Sequence, residues 1–207
     1  LLNGKKKPVP PGGGISGRCS MSMAFACKDG STVTVRNDLR PGDLGSIIRQ
    51  HGVLYSKECG FDVSIEIYVA GPLSVFAGNR GDRQRIWIVE QKDSFLGSAA
   101  VAEHSREEAQ LRWLLLDPAA RGMGIGRRLV EEAVRFARET GYRSIFLWTV
   151  HILPVAARIY RDAGFRLTAE KEVFQWGRPL REQRYDLPLF PGGERSMPAT
   201  ETEGTPV

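Results

Sequence analysis

Cysteine and histidine are scarce in this chain of 207 residues, which holds three of each. Cys19, Cys27 and Cys59 show no C-x-x-C spacing, and their odd number argues against a disulfide framework. The three histidines are scattered as well, without the spacing of metal ligands. We therefore expect no structural metal.

Long apolar runs are also missing. None approaches the roughly 20 residues that a helix needs to cross a bilayer. Residues 1–8 carry lysines where a signal peptide has its apolar block. We therefore expect a cytoplasmic protein without a membrane partner. Its hydrophobic share of 42% and charged share of 26% are those of an ordinary globular protein.

The two ends of the chain differ in composition from its middle. Residues 1–30 and 188–207 are rich in Gly, Pro and Ser, which predicts two flexible tails around one folded domain over 31–187. Lys5, Lys6 and Lys7 make the first tail basic, and a basic tail can contact nucleic acid. A DNA-binding regulator is thus one hypothesis, but no helix-turn-helix or stacking-aromatic pattern supports it, so nucleic acid is not an expected partner.

Residues 111–130 form the most informative stretch. An apolar strand over 111–116 ends before Pro118, which lacks the donor that a central ladder needs. The sequence R-G-M-G-I-G follows at 121–126 and leads into an amphipathic helix. Glycines let the backbone turn tightly, and the free N–H groups and dipole of a helix start attract anions. This stretch predicts a cradle for a phosphate or pyrophosphate.

Three classes of phosphate-binding loop are candidates for residues 121–126. A P-loop closes with Gly-Lys-Ser/Thr, whereas Gly126 is followed by Arg127 and Arg128. A dinucleotide-binding loop has G-x-G-x-x-G, whereas the glycines here run G-x-G-x-G. The third class fits, because R-G-M-G-I-G after a strand ending in Asp-Pro closely resembles the acetyl-CoA loop of the GNAT N-acyltransferases.

Two further features extend the resemblance over about residues 32–187. The predicted order β-α-α-β-β-β-α-β-α-β-β is that of the GNAT fold, and residues 156–165 match the family pattern A-x-x-x-Y-x-x-x-G-F. The fold so implied is α/β (α+β), with a mixed central sheet, a strand that splays before the CoA loop, and helices on both faces. More narrowly, residues 39–45 with His51-Gly-Val-Leu-Tyr55 resemble the acetyltransferase half of MarR-type regulator–acetyltransferase fusions.

The resemblance implies acetyl-CoA as co-substrate, no metal, and a set of binding residues. Main-chain N–H groups of the splayed strand would stabilise the oxyanion, and loop N–H groups would hold the pyrophosphate. Tyr160 matches the tyrosine that protonates the departing thiolate in the family. The cofactor-binding set is Leu114, Leu115, Leu116, Arg121, Gly122, Met123, Gly124, Ile125, Gly126, Arg127 and Tyr160.

The general base is less well defined by the sequence. Glu103, His104 and Glu108 lie near the strand edges where family bases or water relays often occur. We assign Glu108 as the base, beside Tyr160 as acid and Leu115 as oxyanion donor.

The expected function is transfer of an acetyl group from acetyl-CoA to a primary amine by direct attack. A protein lysine, a polyamine, an amino acid and an aminoglycoside all remain open as the acceptor, and a homodimer is compatible with the family. The alternative is an acyl-CoA-binding sensor without turnover. It stays open because the family commonly places an asparagine after the strand at 145–148, and Thr149, Val150 and His151 do not supply one.

Overall fold

The computed structural model describes residues 22–26, 30, 32–79 and 81–190. The strands are β1 Ser22–Ala26, β2 Thr32–Arg36, β3 Arg85–Gln91, β4 Ser94–Glu103, β5 Glu108–Leu116, β6 Ser144–Val150, β7 Arg166–Gln175 and β8 Arg178–Pro188. The helices are α1 Asp43–Cys59, α2 Ser64–Gly78, α3 Ile125–Glu139 and α4 Pro154–Asp162, with a 3-10 turn at Pro118–Ala120. In the described ranges, no helix combines the length and the apolar character that a membrane span requires.

All eight strands form one sheet in the order β1-β2-β3-β4-β5-β6-β8-β7. β5 and β6 run parallel, because α3 crosses back between them, and the other neighbours are antiparallel. The β3–β4 turn is built on Lys92 and Asp93, which both have positive φ, as the tight hairpin turns require. The mixed sheet that the sequence predicts is therefore confirmed.

Helices cover both faces of this sheet because its central strands are apolar on both sides. In β3, Ile86 and Ile88 pack with α1 and α2, whereas Trp87 and Val89 pack with α3. This alternation follows from the two-residue period of a strand. The sheet with two covered faces agrees with the predicted fold class.

A buried arginine fixes α1 against the sheet edge. Arg36 of β2 is 4% exposed, and its guanidinium contacts Asp43 at 2.7 Å and Glu90 at 2.8 Å. Both carboxylates are needed, since a buried charge is tolerated only when it is paired and hydrogen-bonded. The first turn of α1 is thereby joined to β2 and β3.

The structure corrects both predicted tail boundaries. Ser22–Ala26, inside the tail predicted over 1–30, is a strand that pairs with β2. At the other end β8 runs to Pro188, and Leu189 is buried with its N–H bonded to the carbonyl of Arg143 at 2.8 Å. Apolar residues that pack against the sheet override the Gly and Pro composition around them. Residues 1–21, the lysines among them, and residues 191–207 lie outside the described part.

Candidate functional site

The central sheet opens between β5 and β6. The two strands pair only at Glu108, Ala109 and Gln110, opposite Ser144 to Phe146. Beyond Gln110, β6 keeps its antiparallel partner β8 as far as Val150, while β5 stays with β4. The edge of β5 that faces β6 therefore has no strand partner over residues 111–116. This is the splayed strand that the sequence predicts.

A bulge in β5 shapes this opening. Three residue steps in β5, from Arg112 to Leu115, face two steps in β4, from Ala100 to Ser98. Trp113 absorbs the extra residue with φ 51, a value that a bulky side chain adopts only where its surroundings enforce it. Trp113 packs edge-on to Phe76 of α2 at 5.3 Å, so the bulge turns it toward α1 and α2.

The space between the splayed strands is a cleft of about 120 Å³. One wall comes from α1, α2 and their connection, through His51, Tyr55, Phe61, Ile65, Tyr68 and Val69. The strands contribute Gln110, Leu111, Arg112, Trp113, Leu114, Leu147, Trp148, Thr149, Val150 and Glu182. The remaining side chains, from α4 with its N-cap and from the β7–β8 hairpin, are Leu153, Ala156, Tyr160 and Trp176.

The glycine loop lies where β5 ends and α3 begins. Gly122 and Gly124 have φ 77 and 85, and a Cβ at either position would point into open space. The first main-chain bond of α3 is donated by the N–H of Arg128 to the carbonyl of Gly124 at 3.2 Å. Within the described residues, the N–H groups of Gly122 through Arg127 donate to no protein acceptor. They are therefore free to serve as the donors of the anion cradle that the loop sequence predicts.

The two arginines beside this loop are already paired. Arg121 donates through Nε to the carbonyl of Leu116 at 3.0 Å and through its terminal nitrogens to Glu58 of α1 at 3.0 Å. Arg127 pairs with Glu131 one turn further along α3, also at 3.0 Å. Arg121 thus ties the loop to the end of β5 and to α1, a contact that its place in the sequence does not reveal.

Tyr160 lies in the same cleft as the splayed strand. It is 6% exposed, and its ring packs against Phe165 and Tyr185 at 6.2 Å each. Burial, reinforced by the neighbouring Tyr55, raises the pKa of the Tyr160 hydroxyl. The phenol therefore carries its proton at neutral pH and can act as a donor.

The structure does not bring Glu108 into the cleft. Glu108 begins β5, where it pairs with Arg184 at 2.6 Å, and Leu114 lies six residues further along the strand, about 20 Å away. His104 is 53% exposed beside Glu108, and Glu103 is bonded to Arg83. This distance corrects the assignment of Glu108 as the base. A side chain at the start of β5 cannot reach a small site near the end of the same strand.

Glu182 is the carboxylate that does line the cleft. It lies on β8 opposite Val150, is 7% exposed, and contacts the ammonium of Lys171 at 2.9 Å. Sequence patterns did not single it out, because the antiparallel return of β8 brings it to the cleft from far along the chain. The Nδ1 of His151, which follows β6, accepts the main-chain N–H of Arg181 at 3.1 Å.

His51 and Tyr55 are cleft residues that the motif H-G-V-L-Y contained without revealing their position. The two rings lie one turn apart on α1 and meet edge to face, with centroids 5.8 Å apart. The Nδ1 of His51 donates to the carbonyl of Ile47 at 2.8 Å, which leaves Nε2 as an acceptor. Burial lowers the pKa of His51 to about 4, so the imidazole is neutral at pH 7.

The ligating residue types do not gather into a metal site in this part of the chain. Over residues 22–26, 30, 32–79 and 81–190, no three of His, Cys, Asp and Glu are grouped closely enough to hold an ion. The candidate functional features of the described residues are therefore the glycine loop and the cleft.

Comparison with protein families identifies the family of this chain. Residues 54–165 match the Acetyltransferase (GNAT) family, a range that includes most of α1, the splayed strand, the glycine loop and α4. Human N-acetyltransferase 8B is 29% identical over 97 residues, 44% of this chain and 43% of that protein. Mycothiol acetyltransferase of Rhodococcus opacus is 33% identical over 104 residues, 50% of this chain and 32% of that protein. The chain spans less than half the length of either relative.

Solved structures share the fold over most of the chain. YncA of Salmonella typhimurium, described as a putative acetyltransferase with its cofactor acetyl-CoA, is 20% identical with a TM-score of 0.61, covering 78% of this chain and 96% of its own. A phosphinothricin acetyltransferase of Sinorhizobium meliloti in complex with AcCoA is 22% identical with a TM-score of 0.62, covering 79% and 92%. At these identities the likeness establishes the fold.

Proposed function

Because the chain belongs to the acetyltransferase (GNAT) family, we propose that it transfers an acetyl group from acetyl-CoA to a primary amine by direct attack. The observation that carries this proposal is the splayed edge of β5, which borders one cleft together with Tyr160 and leads directly into the glycine loop. The main-chain N–H groups of that loop, at the start of α3, donate to no acceptor among the described residues. Two neighbours in fold, YncA and the Sinorhizobium enzyme, are described with acetyl-CoA.

The loop is suited to bind the pyrophosphate of acetyl-CoA. Its N–H groups converge at the N-terminus of α3, where the helix dipole favours negative charge. The first turn of α3 carries no acidic residue that would repel a phosphate. Arg127 adds positive charge at the mouth, and Arg121 holds the loop in position from β5 and α1.

The thioester would lie along the open edge of β5. The amine nitrogen attacks the carbonyl carbon, and negative charge develops on the carbonyl oxygen. Unpaired main-chain N–H groups at Leu114, Leu115 or Leu116 are suited to stabilise that oxygen, because fixed donors need no reorganisation as charge develops. The carbon–sulfur bond then breaks, and the thiolate leaves with the bonding electrons.

Two protons have to move in this reaction. The thiolate takes one from the Tyr160 hydroxyl, and the amine loses one. We assign Glu182, the carboxylate of the cleft, as the group that receives the amine proton, in place of Glu108. Its ion pair with Lys171 holds the carboxylate at the wall of the cleft.

A thiol-release assay with acetyl-CoA and a panel of amines tests the proposal. The wild type is compared with Tyr160→Phe, and CoA binding is measured by calorimetry on the same samples. The expected result is a fall in kcat of about 10²-fold or more for Tyr160→Phe with CoA binding retained. Tyr185→Phe is the matched control, because Tyr185 neighbours Tyr160 in the core and lies outside the cleft lining.

Two other results would change the conclusion. Tight CoA binding without thiol release on any amine favours the acyl-CoA-binding sensor. Absence of CoA binding overturns the proposal altogether. The narrower likeness to the acetyltransferase half of MarR-type regulator fusions also stays a proposal, supported by residues 39–45 and by His51 and Tyr55 in α1.

A further inference from the structure

Arg112 lies half-buried in the cleft without an acidic partner among the described residues. No carboxylate of the described residues lies within 4.0 Å of its guanidinium, and its one hydrogen bond goes to the neutral Oε1 of Gln110 at 3.3 Å. Burial lowers the pKa of the Arg112 guanidinium, which reflects the cost of desolvating it. Elsewhere the chain pairs such arginines, as with Arg36 and Arg184.

The regular alternation of β5 places this charge on the acceptor side of the cleft. Leu111 packs toward α3, so the next residue, Arg112, faces the opposite side of the sheet. The bulge with the positive φ of Trp113 then puts Trp113 on the same face, where the guanidinium lies 4.9 Å from its ring. Arg112 and Tyr68 of α2 line the same cleft. Arg112 therefore faces α1 and α2, across the sheet from the glycine loop and α3.

The other ionisable groups of the cleft do not neutralise Arg112. Glu182 is matched by Lys171 at 2.9 Å. His51 is neutral, and burial keeps the hydroxyls of Tyr55 and Tyr160 protonated. The balance of charge in the described cleft is therefore positive, which disfavours a polyamine or another polycation and favours a ligand that brings one negative charge.

Much of the remaining wall is aromatic or aliphatic. Trp176 lies at the β7–β8 turn with φ 52, and its ring stands 4.8 Å from Phe61 and 5.2 Å from Tyr68. Trp113 and Trp148 line the same space. Such a wall favours an apolar or aromatic body, and a guanidinium among aromatic rings is well suited to hold a carboxylate in a fork of two hydrogen bonds.

We propose that the acetyl acceptor is an apolar or aromatic amino acid, whose carboxylate pairs with Arg112 while its amine faces the splayed strand. The inference rests on the proposed function and names the substrate class of the same site. Arg112 then pairs with the carboxylate of the ligand, and Glu182 remains the group that receives the amine proton. A protein lysine side chain brings no carboxylate of its own and leaves Arg112 unpaired.

Pairs of ligands that differ only in the carboxylate test the proposal. L-phenylalanine is compared with phenethylamine, and L-tyrosine with tyramine. Binding is followed by calorimetry in the presence of CoA, and turnover by thiol release. We expect each amino acid to bind and react with a kcat/KM at least tenfold above that of its decarboxylated partner, as loss of a charge-assisted bond requires.

Variants assign this preference to the guanidinium. Arg112→Gln is expected to reduce the ratio of kcat/KM between L-phenylalanine and phenethylamine at least tenfold, mainly through KM. Arg112→Lys keeps the charge and should retain part of the ratio. Arg143→Gln, an exposed arginine at the start of β6, is the control. Thermal melting shows whether each variant is folded, and the ligand pairs test the wild type without any variant.

The outcomes separate this inference from the proposed function. Turnover of amines with no preference for the carboxylate overturns the inference and leaves the transferase intact. Binding of amino acids through Arg112 without any thiol release supports the carboxylate site at Arg112 but contradicts both the transferase and the role of the amino acid as acetyl acceptor. Failure of the wild type to bind any of the amino acids overturns the inference, whatever the result with acetyl-CoA.

Discussion

The hydroxyl of Ser98 donates a hydrogen bond to the main-chain carbonyl of Trp113 at 2.9 Å. Ser98 is 0% exposed, so water does not compete with the Ser98 hydroxyl for this bond. The bond joins β4 to the bulge of β5 at the point where the extra residue interrupts the ladder. It satisfies a polar group that the bulge would otherwise leave buried and unpaired.

Replacing Ser98 with Ala is therefore expected to lower the free energy of unfolding by about 1–3 kcal/mol, because the Trp113 carbonyl loses its partner. Urea denaturation measures this loss. Ser94→Ala makes the same change at an exposed position of the same strand and should cost less than about 0.5 kcal/mol. Equal effects of the two substitutions would show that the bulge does not depend on this bond.

Gly124 and Gly141 give a matched pair for the anion cradle. They lie at opposite ends of α3 with φ 85 and 83, and a Cβ would meet nothing at either position. Substitution by Ala should cost each about 1–2 kcal/mol of stability, as a left-handed conformation does for a residue with a Cβ. Only Gly124→Ala is expected to weaken CoA binding, measured by calorimetry. Similar dissociation constants of CoA for the two variants would show that CoA does not bind at the N-terminal end of α3.

Arg121 can act on CoA binding through its charge or through its hydrogen bonds. A lysine keeps the charge but cannot form the fork that contacts both Leu116 and Glu58. We expect Arg121→Lys to weaken CoA binding severalfold, nearly as much as Arg121→Met, because its bonds hold the loop. Arg127→Lys, which keeps the charge at the start of α3, is the control. A wild-type dissociation constant for Arg121→Lys would show that charge alone matters.

His51 makes stability depend on pH below neutrality. Its ordinary pKa is 6.5 and burial lowers it to about 4 in the folded protein. Between these values the unfolded chain binds a proton that the folded chain does not, so stability falls as the pH falls through this window. The loss approaches about 3 kcal/mol at pH 4.

Denaturation at several pH values measures that slope. His51→Gln should remove the part of the acid sensitivity that lies between pH 6.5 and 4. His104→Gln changes a histidine that is 53% exposed and should leave the slope as in the wild type. An unchanged slope in His51→Gln would show that another group titrates in this window.

Local sequence carried much of the fold. The strand over residues 111–116, the R-G-M-G-I-G loop and the amphipathic α3 are contiguous, so periodicity and backbone preference report them directly. Local sequence does not account for α2, which continues through Gly71 and Pro72 although both residues disfavour a helix interior. Burial of Val69 and Leu73 stabilises α2 by more than the loss of the one hydrogen bond that Pro72 cannot donate destabilises it.

What the sequence determined by itself was the family, the order of the elements and the loop that cradles an anion, because each depends on residues adjacent in the chain. The tertiary structure decided which side chains meet in the cleft. A bulge turned Trp113 to the face of Arg112, toward α1 and α2, and the return of β8 brought in Glu182 while Glu108 remained at the far end of β5. Register and strand divergence are set by packing between distant segments, and no local pattern records them.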